Sequence, residues 1–267
     1  MRTVNLVIKG LVLRGSDMND DDKLLTVLTS ERGRITVMAK HSKSIKSRVI
    51  SGVQPFTYSE FELYVKGGLY WMRGVTTIEP FMSISVNMEK LSLAAYLSEV
   101  AEEFSGESES GEDILRLTLN SYYAISRDLY PLSQIKAAFE LSAAAMSGYR
   151  PYVDGCRKCK KPYAEVMYMD VMNGRMLCEE CLHKASLAAR REAERSEDIR
   201  EASVIHPMSP YVAAAVKYVI TAPPSRFLSF QLKEEDLASF AALAELYLLS
   251  HVGHAFDTLD FYKTLFG

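Results

Sequence analysis

The sequence lacks features that would place it in several large classes of proteins. Its longest apolar runs, at 212–220 and 240–250, are interrupted by Lys217 and Glu245 and fall short of the roughly 20 residues that cross a bilayer. We therefore expect no membrane association. The N-terminal stretch alternates apolar residues and then turns acidic, which is typical of a strand and not of a signal peptide. These absences favour a cytoplasmic protein.

Signatures of catalysis are also missing. The chain contains no G-x-x-x-x-G-K-[ST], G-x-G-x-x-G or G-x-S-x-G motif, the patterns that hold phosphates or present a nucleophilic serine. A zinc deaminase would need an H-x-E element, and none is present. His251 and His254 stand one helical turn apart near Glu245, an arrangement that is more often a surface pair at a helix end. We expect no enzymatic activity.

Carboxylates are absent from residues 32–59, although the chain as a whole has a net charge of −3. Residues 1–80 carry a net charge of +4 and the remainder −7, so the N-terminal third is the better candidate for an anionic ligand. Cations recur through the carboxylate-free segment at Lys40, Lys43 and Lys46, with serines between them that can donate to phosphate oxygens. This pattern suits contact with a nucleic-acid backbone, while a solvated protein face is the alternative.

The first 80 residues predict a small barrel. Short apolar runs with period-2 spacing are separated by Gly, Asp and Pro, and KGGLY at 66–70 is a hairpin candidate. About five or six antiparallel strands of this kind match an OB-fold in size. An SH3-like barrel fits the same pattern.

After Pro80 the apolar spacing changes to three and four residues, which predicts amphipathic helices. The predicted helices lie at 88–104, 112–129 and 132–149, with further ones near 185–196, 208–221 and 233–251. The predicted fold class is therefore α+β, with an OB-fold nucleic-acid-binding domain at 1–80 and a helical domain at 81–267. A four-cysteine zinc-ribbon insertion is expected within the helical domain, at about 150–183.

All four cysteines occur in two C-x2-C pairs, Cys156 with Cys159 and Cys178 with Cys181. This spacing lets two turns bring four thiolates around one tetrahedral Zn²⁺. Between the pairs, AEVMYMDVMNGRML predicts a hairpin that turns at Asn173-Gly174. Two disulfides or free buried thiols are the alternative, but with no secretion signal we expect a reducing cytosol, which keeps such thiols available for metal. Four thiolates leave no open coordination position, so the expected ion is one structural zinc. His183 is a less favoured ligand.

The N-terminal sequence resembles that of a known family. The resemblance is carried by residues 6–49, LVIKGLVLRGSDMNDDDKLLTVLTSERGRITVMAKHSKSIKSRV, followed by QPF. This stretch is similar to the N-terminal OB domain of the bacterial RecO family. Shared features are a strand ending in Arg, an acidic turn before Leu-Leu-Thr, Gly-Arg, and a basic loop after Ala-Lys. The resemblance extends through the four cysteines to ELYLLSHVGHAFDTL near the C terminus.

This resemblance implies a recombination mediator in DNA repair. RecO proteins bind single- and double-stranded DNA and anneal complementary strands. They act with RecR, and in some lineages RecF, to load recombinase onto strands coated by single-stranded DNA-binding protein, which implies a nucleoid location. Asp257 and Asp260 replace a typically basic segment and disfavour binding of that protein's acidic tail. The DNA contacts implied by position are Arg34, Lys40, Lys43, Lys46 and Arg48.

Two hypotheses from different classes therefore remain. The leading one is a non-enzymatic DNA-binding mediator whose basic barrel holds strand backbones. The other is a zinc-ribbon interaction or regulatory adaptor without direct DNA contact, in which the same cations form a solvated rim.

Overall fold

The computed structural model describes residues 5–18, 21–40, 42, 50–107, 109–193 and 204–266. The chain divides into two compact units. Unit 1 comprises residues 1–132 together with 255–267, and unit 2 comprises residues 133–254. The division into autonomous domains at residue 80 remains a prediction.

Unit 1 contains a closed barrel of five strands. The strands are β1 (Asn5–Asp17), β2 (Lys23–Thr29), β3 (Gly33–Ala39), β4 (Tyr58–Lys66) and β5 (Leu69–Glu79). Their order around the barrel is β1-β2-β3-β5-β4, with β4 pairing back to β1 and a parallel contact between β3 and β5. This five-stranded Greek-key barrel is an OB-fold, which confirms the predicted fold and removes the SH3-like alternative.

The alternation of apolar and polar residues decides which side chains fill the barrel. In β3 the inward residues are Ile35, Val37 and Ala39, so Arg34 lies on the outer face. The remaining buried core residues come from the other strands and from a short 3-10 helix at Ser51–Val53. They are Val12, Leu25, Val27, Val53, Phe61 and Leu63.

The β4–β5 hairpin turns at Gly67 and Gly68, as predicted. Their φ angles are +61° and +79°, and a two-residue turn with both φ values positive strongly favours glycine. The turn sets Lys66 opposite Leu69 and Tyr64 opposite Trp71.

Helices from two distant parts of the chain complete unit 1. They are α1 (Met82–Ser85), α2 (Met88–Glu103), α3 (Glu112–Ser126) and α8 (Asp257–Phe266). Asn87 caps α2, since its side-chain oxygen accepts from Lys90 N at 3.0 Å. Helix α8 packs on α2, where Thr258 N donates to Glu99 Oε2 at 3.2 Å.

Unit 2 combines helices with a three-stranded sheet. Its elements are α4 (Leu132–Met146), β6 (Met167–Asp170), β7 (Arg175–Cys178), α5 (Glu179–Ala193), β8 (Ile205–Met208), α6 (Pro210–Thr221) and α7 (Glu234–Val252). The sheet order is β7-β6-β8. Helix α6 has a strong start, because Ser209 accepts from Val212 N at 3.2 Å and Pro210 is its first residue.

The predicted hairpin between the cysteine pairs is confirmed, but its loop differs. A two-residue turn at Asn173-Gly174 is wrong, because residues 171–174 form a four-residue loop closed by Gly174 N donating to Val171 O at 3.2 Å. Asn173 instead donates to the buried carboxylate of Asp170 at 3.0 Å. Arg175 donates to the same carboxylate, which fixes the loop without the tighter turn.

We expect the substitution Phe61→Ala to lower the free energy of unfolding by about 3–5 kcal/mol, because the ring is fully buried in the barrel core. Urea unfolding followed by the fluorescence of Trp71, the single tryptophan, measures this change within the barrel. The control is Ile78→Ala on β5, where the side chain is 45% exposed and the expected loss is below about 0.5 kcal/mol. Equal losses in the two variants would contradict the core assignment.

Candidate nucleic-acid interface and metal centre

Three local elements bring the four cysteines together. Cys156 and Cys159 lie in the loop that precedes β6, Cys178 ends β7, and Cys181 lies in the first turn of α5. The β6–β7 hairpin therefore carries the second pair back to the first. This arrangement agrees with the predicted cluster.

The Sγ atoms of the four cysteines all lie within 4.8 Å of one another. Cys159 Sγ and Cys178 Sγ are 3.6 Å apart, well beyond the ~2.05 Å of a disulfide, and all four thiols are free. Three of them are buried, while Cys159 is exposed. Sulfurs around a tetrahedral zinc, each at ~2.3 Å, would be about 3.8 Å apart, so the donor set is compatible with zinc.

The loop that holds the first pair depends on its backbone. Cys156 N donates to Lys161 O at 2.8 Å, and Lys160 N donates to Cys156 O at 2.9 Å. Gly155, with φ +103°, precedes this turn, and a Cβ there would lie only 2.3 Å from Lys161 O. Any larger residue at position 155 would therefore displace the turn that orients the Cys156 thiol.

The thiols differ in acidity because their surroundings differ. Burial opposes ionisation of Cys156, but N–H groups of Cys159, Cys178 and Lys158 outweigh it and lower the pKa to about 6. Burial and the neighbouring sulfurs raise the pKa of Cys181 to about 12. Four adjacent thiolates repel one another unless a cation lies between them. The chemistry of this donor set thus suits a thiophilic divalent ion.

Arg34, one of the predicted DNA contacts, lies on β3 beside helix α2. Its guanidinium is 3.5 Å from Glu102 Oε1 and 3.9 Å from Glu107 Oε1, and it also donates to Glu102 O at 3.3 Å. Arg14 on β1 binds the Glu102 carboxylate with two hydrogen bonds of 2.8 and 2.9 Å. The two arginines therefore share one carboxylate, and much of their charge is neutralised.

The pKa of Glu102 reflects this arrangement. The hydrogen bond from Arg14 lowers it below the ordinary 4.5, partial burial opposes the shift, and the charges of Arg14 and Arg34 add to it. A cavity of about 620 Å³ adjoins the group. Its lining includes Glu99, Glu103 and Asp257 as well as the two arginines, a balance of charge that does not favour phosphate.

Lys40 follows the end of β3 and is exposed. Its Nζ lies 5.0 Å from the centroid of the Trp71 ring, a cation–π distance. Ser42, expected to reach phosphate, is instead buried and donates to Ala39 O at 2.9 Å. Lys43, Lys46 and Arg48 lie outside the described residues.

Sequence reasoning missed three charged residues of this region. Arg14 and Glu102 are 88 positions apart, so no local pattern connects them. Arg73 places its guanidinium carbon 4.8 Å from the centroid of the Tyr64 ring. The Gly67-Gly68 turn fixes the β4–β5 register and could have revealed that Tyr64 and Trp71 share the outer face.

Within the described ranges, none of the helices combines the length and apolar character that a bilayer span requires.

A closed OB barrel, joined to helices and to a cluster of four free cysteines, defines the class of OB-fold proteins with an embedded cysteine centre. The model "Recombination protein O N terminal" matches residues 1–81, and "Recombination protein O C terminal" matches residues 86–260. The chain belongs to the recombination protein O, or RecO, family.

Relatives named DNA repair protein RecO support this assignment. The protein of Acetivibrio thermocellus is 28% identical over 261 residues, which cover 97% of each chain. That of Caldicellulosiruptor saccharolyticus is 31% identical over 173 residues, or 65% of this chain and 70% of its own. That of Alkaliphilus metalliredigens is 29% identical over the same coverage. Similarity to the first of these spans both units.

We expect Glu102→Gln to destabilise the protein by about 1 kcal/mol near neutral pH, because it removes the charge that holds Arg14 and Arg34. Since folding lowers the pKa of Glu102, this stabilisation is complete above the ordinary value of 4.5 and is lost as pH falls through the lowered pKa. Urea unfolding of both proteins across this range measures the difference.

Glu31→Gln, at an exposed residue of the β2–β3 turn, is the matched control and should change stability little at any pH. A loss in Glu102→Gln that stays constant as pH falls below 4.5 would show that the carboxylate charge is not responsible.

Proposed function

We propose that this protein is a non-enzymatic recombination mediator in DNA repair. It binds single- and double-stranded DNA, anneals complementary strands and helps to load recombinase. The observation that carries the proposal is the Lys40 end of β3, where an OB barrel of a RecO-family chain presents an exposed cation next to an aromatic ring. Lys40 also lies within the carboxylate-free segment 32–59.

The proposed phosphate contacts are Arg34, Lys40, Lys43, Lys46 and Arg48. Lys40 is the described member of this set that faces solvent. Arg34 must exchange Glu102 and Glu107 for a phosphate, so its contribution is the smaller of the two. The serines and lysines of this segment suit contact with the phosphate backbone, so we expect binding to be independent of sequence.

Annealing follows from charge neutralisation. Two strands repel through their phosphates, and cations held on a rigid barrel lower that repulsion while the strands approach. Contacts to the backbone leave the base edges free. Watson–Crick pairing then supplies the specificity that the protein lacks.

The cysteine cluster is proposed to bind one structural Zn²⁺ through Cys156, Cys159, Cys178 and Cys181. The convergence of the four Sγ atoms supports this assignment. When bound, the ion would neutralise the thiolates and join the loop before β6 to the start of α5, contributing to folding rather than to catalysis.

The proposed partners follow from family membership. RecR is the expected protein partner, with RecF in addition in some lineages, and cytoplasm with nucleoid association is the expected location. Asp257 and Asp260 occupy the first turn of α8. Their charge disfavours the acidic tail of single-stranded DNA-binding protein at this position.

The alternative function is a zinc-ribbon adaptor without direct DNA contact. It is favoured by one observation, the neutralisation of Arg14 and Arg34 by Glu102, which reduces the positive charge of the barrel. The two functions differ in their dependence on salt and on the lysines of the basic segment.

We expect oligonucleotide binding to weaken with salt, with a slope of log K against log salt of roughly −3 to −4 for about four to six phosphate contacts. Lys40→Glu should reduce the size of this slope by about 0.7 or more, because it removes one contact. Lys184→Glu in α5, an exposed site outside the barrel, is the charge-matched control. Fluorescence anisotropy across a salt titration measures both slopes.

The triple variant Lys40→Glu, Lys43→Glu and Lys46→Glu extends this test to annealing of complementary strands. Annealing should fall to the uncatalysed rate. Unchanged annealing at low salt would reject the mediator hypothesis and favour the adaptor.

We expect purified protein to contain one zinc ion per chain and a chelator to lower its melting temperature, because metal binding adds to folding free energy. Cys178→Ser should lose the metal and show the lower melting temperature without chelator. His183→Ala, at an exposed residue two positions past Cys181, should keep the metal. Metal-free protein with full thermal stability, unaffected by chelator, would contradict zinc binding.

A further inference from the structure

Two aromatic rings lie side by side on the outer face of the barrel. Tyr64 on β4 and Trp71 on β5 are direct cross-strand partners, with ring centroids 6.3 Å apart and planes inclined by 23°. Phe61 and Leu63 fill the barrel interior, so alternation along β4 directs Tyr64 outward. Both rings are partly exposed. The rings are nearly parallel and stack across the two strands, and they are here called the ring pair.

The ring pair is held in place before any ligand binds. Trp71 Nε1 donates to Lys66 O at 3.2 Å, which satisfies the indole N–H within the hairpin. The Gly67-Gly68 turn fixes the strand register beneath the rings. A preorganised aromatic surface loses little side-chain entropy on binding.

Each ring carries a cation. Lys40 Nζ is 5.0 Å from the Trp71 centroid, and the Arg73 guanidinium carbon is 4.8 Å from the Tyr64 centroid. Contact between a ring and a cation at an exposed site is weaker than stacking of a nucleobase on the same ring. A base can therefore displace each cation, which then has an adjacent phosphate to bind.

We propose that Tyr64 and Trp71 stack two neighbouring bases of single-stranded DNA while Lys40 and Arg73 contact the adjoining phosphates. This inference rests on the proposed function, since it adds a base-contacting surface to the phosphate-contacting segment. It assigns roles to Tyr64, Trp71 and Arg73, none of which belongs to the predicted basic set.

The distance between the two rings indicates which form of DNA the ring pair can bind. The ring centroids are 6.3 Å apart, whereas stacked bases rise only ~3.4 Å along one strand. Bases that occupy both rings must come from a stretched strand, because in a duplex the base faces are covered by their neighbours. The ring pair therefore favours single-stranded over double-stranded DNA.

Charge sets the limits of the surface. Glu60 and Glu62 lie further along the outer face of β4, and Lys66 lies at the opposite end of that strand. The phosphate backbone should follow the lysines and avoid the carboxylates. Stacking uses only the face of each base, so the pairing edges stay available for a complementary strand.

The test uses full-length, metal-loaded protein with oligo(dT) and an abasic strand of the same length. Trp71 is the single tryptophan, so its fluorescence reports on the ring pair directly. Oligo(dT) should quench this fluorescence, and the abasic strand, which offers phosphates without bases, should quench it much less. Anisotropy of labelled strands gives the affinities in parallel.

Substitutions separate stacking from charge. Trp71→Ala should weaken oligo(dT) binding by about 5- to 150-fold, the range for loss of one stacked base, and leave abasic binding and the salt slope unchanged. Tyr64→Ala should act similarly, and Trp71→Phe should retain most of the affinity. Ile78→Ala, exposed on the same strand, is the control. Circular dichroism and metal content identify any variant that is misfolded, and if Trp71→Ala misfolds, Tyr64→Ala carries the comparison.

The outcomes distinguish this inference from the proposed function. Suppose that Trp71→Ala and Tyr64→Ala bind oligo(dT) as well as the wild-type protein does. The ring pair then does not stack bases, although the proposed DNA-binding function stands. In that case a protein partner becomes the better occupant of the ring pair. Equal losses on oligo(dT) and abasic strands would also overturn stacking. If wild-type protein binds neither strand in dilute buffer, the proposed function itself fails.

Discussion

The carboxylate of Glu102 determines where the barrel can offer positive charge. It lies on α2 and binds Arg14 from β1 and Arg34 from β3, so one side of the barrel is nearly neutral despite its arginines. The net charge of +4 over residues 1–80 therefore overstates the charge available to a ligand. What remains accessible is concentrated at the far end of β3 and on the β4–β5 hairpin, and the proposed DNA contacts of the barrel depend on that asymmetry.

The elements that the sequence predicted well are those with local causes. Period-2 alternation and the Gly67-Gly68 turn were sufficient to predict the barrel and its last hairpin, and three- and four-residue spacing predicted α2 nearly to its ends. The cysteine spacing predicted the cluster for the same reason, since each pair belongs to a single turn. These features could be identified without knowing which distant segments of the chain are in contact.

Other features could not be predicted because they depend on contacts between distant segments. Strand β8 contains Pro207 and is only four residues long, so its own sequence does not predict a strand. It is extended because it pairs with β6. Helix α8 was not predicted, because the predicted helices end at residue 251. Arg34 was predicted to contact phosphate. In the structure it pairs with Glu102, and it must leave that carboxylate before it can bind a phosphate.

Helix α8 belongs to unit 1 although it follows unit 2 in the sequence. Unit 1 therefore cannot finish folding until α8 has been synthesised. Phe256, just before α8, meets Tyr96 of α2 edge-on, with ring centroids 5.8 Å apart, yet all of unit 2 separates the two residues. At ribosomal speeds of about 5–20 residues per second, roughly 8–32 s pass between the synthesis of Tyr96 and that of Phe256, which covers it. During synthesis, an apolar surface that the finished molecule conceals is therefore open to chaperones.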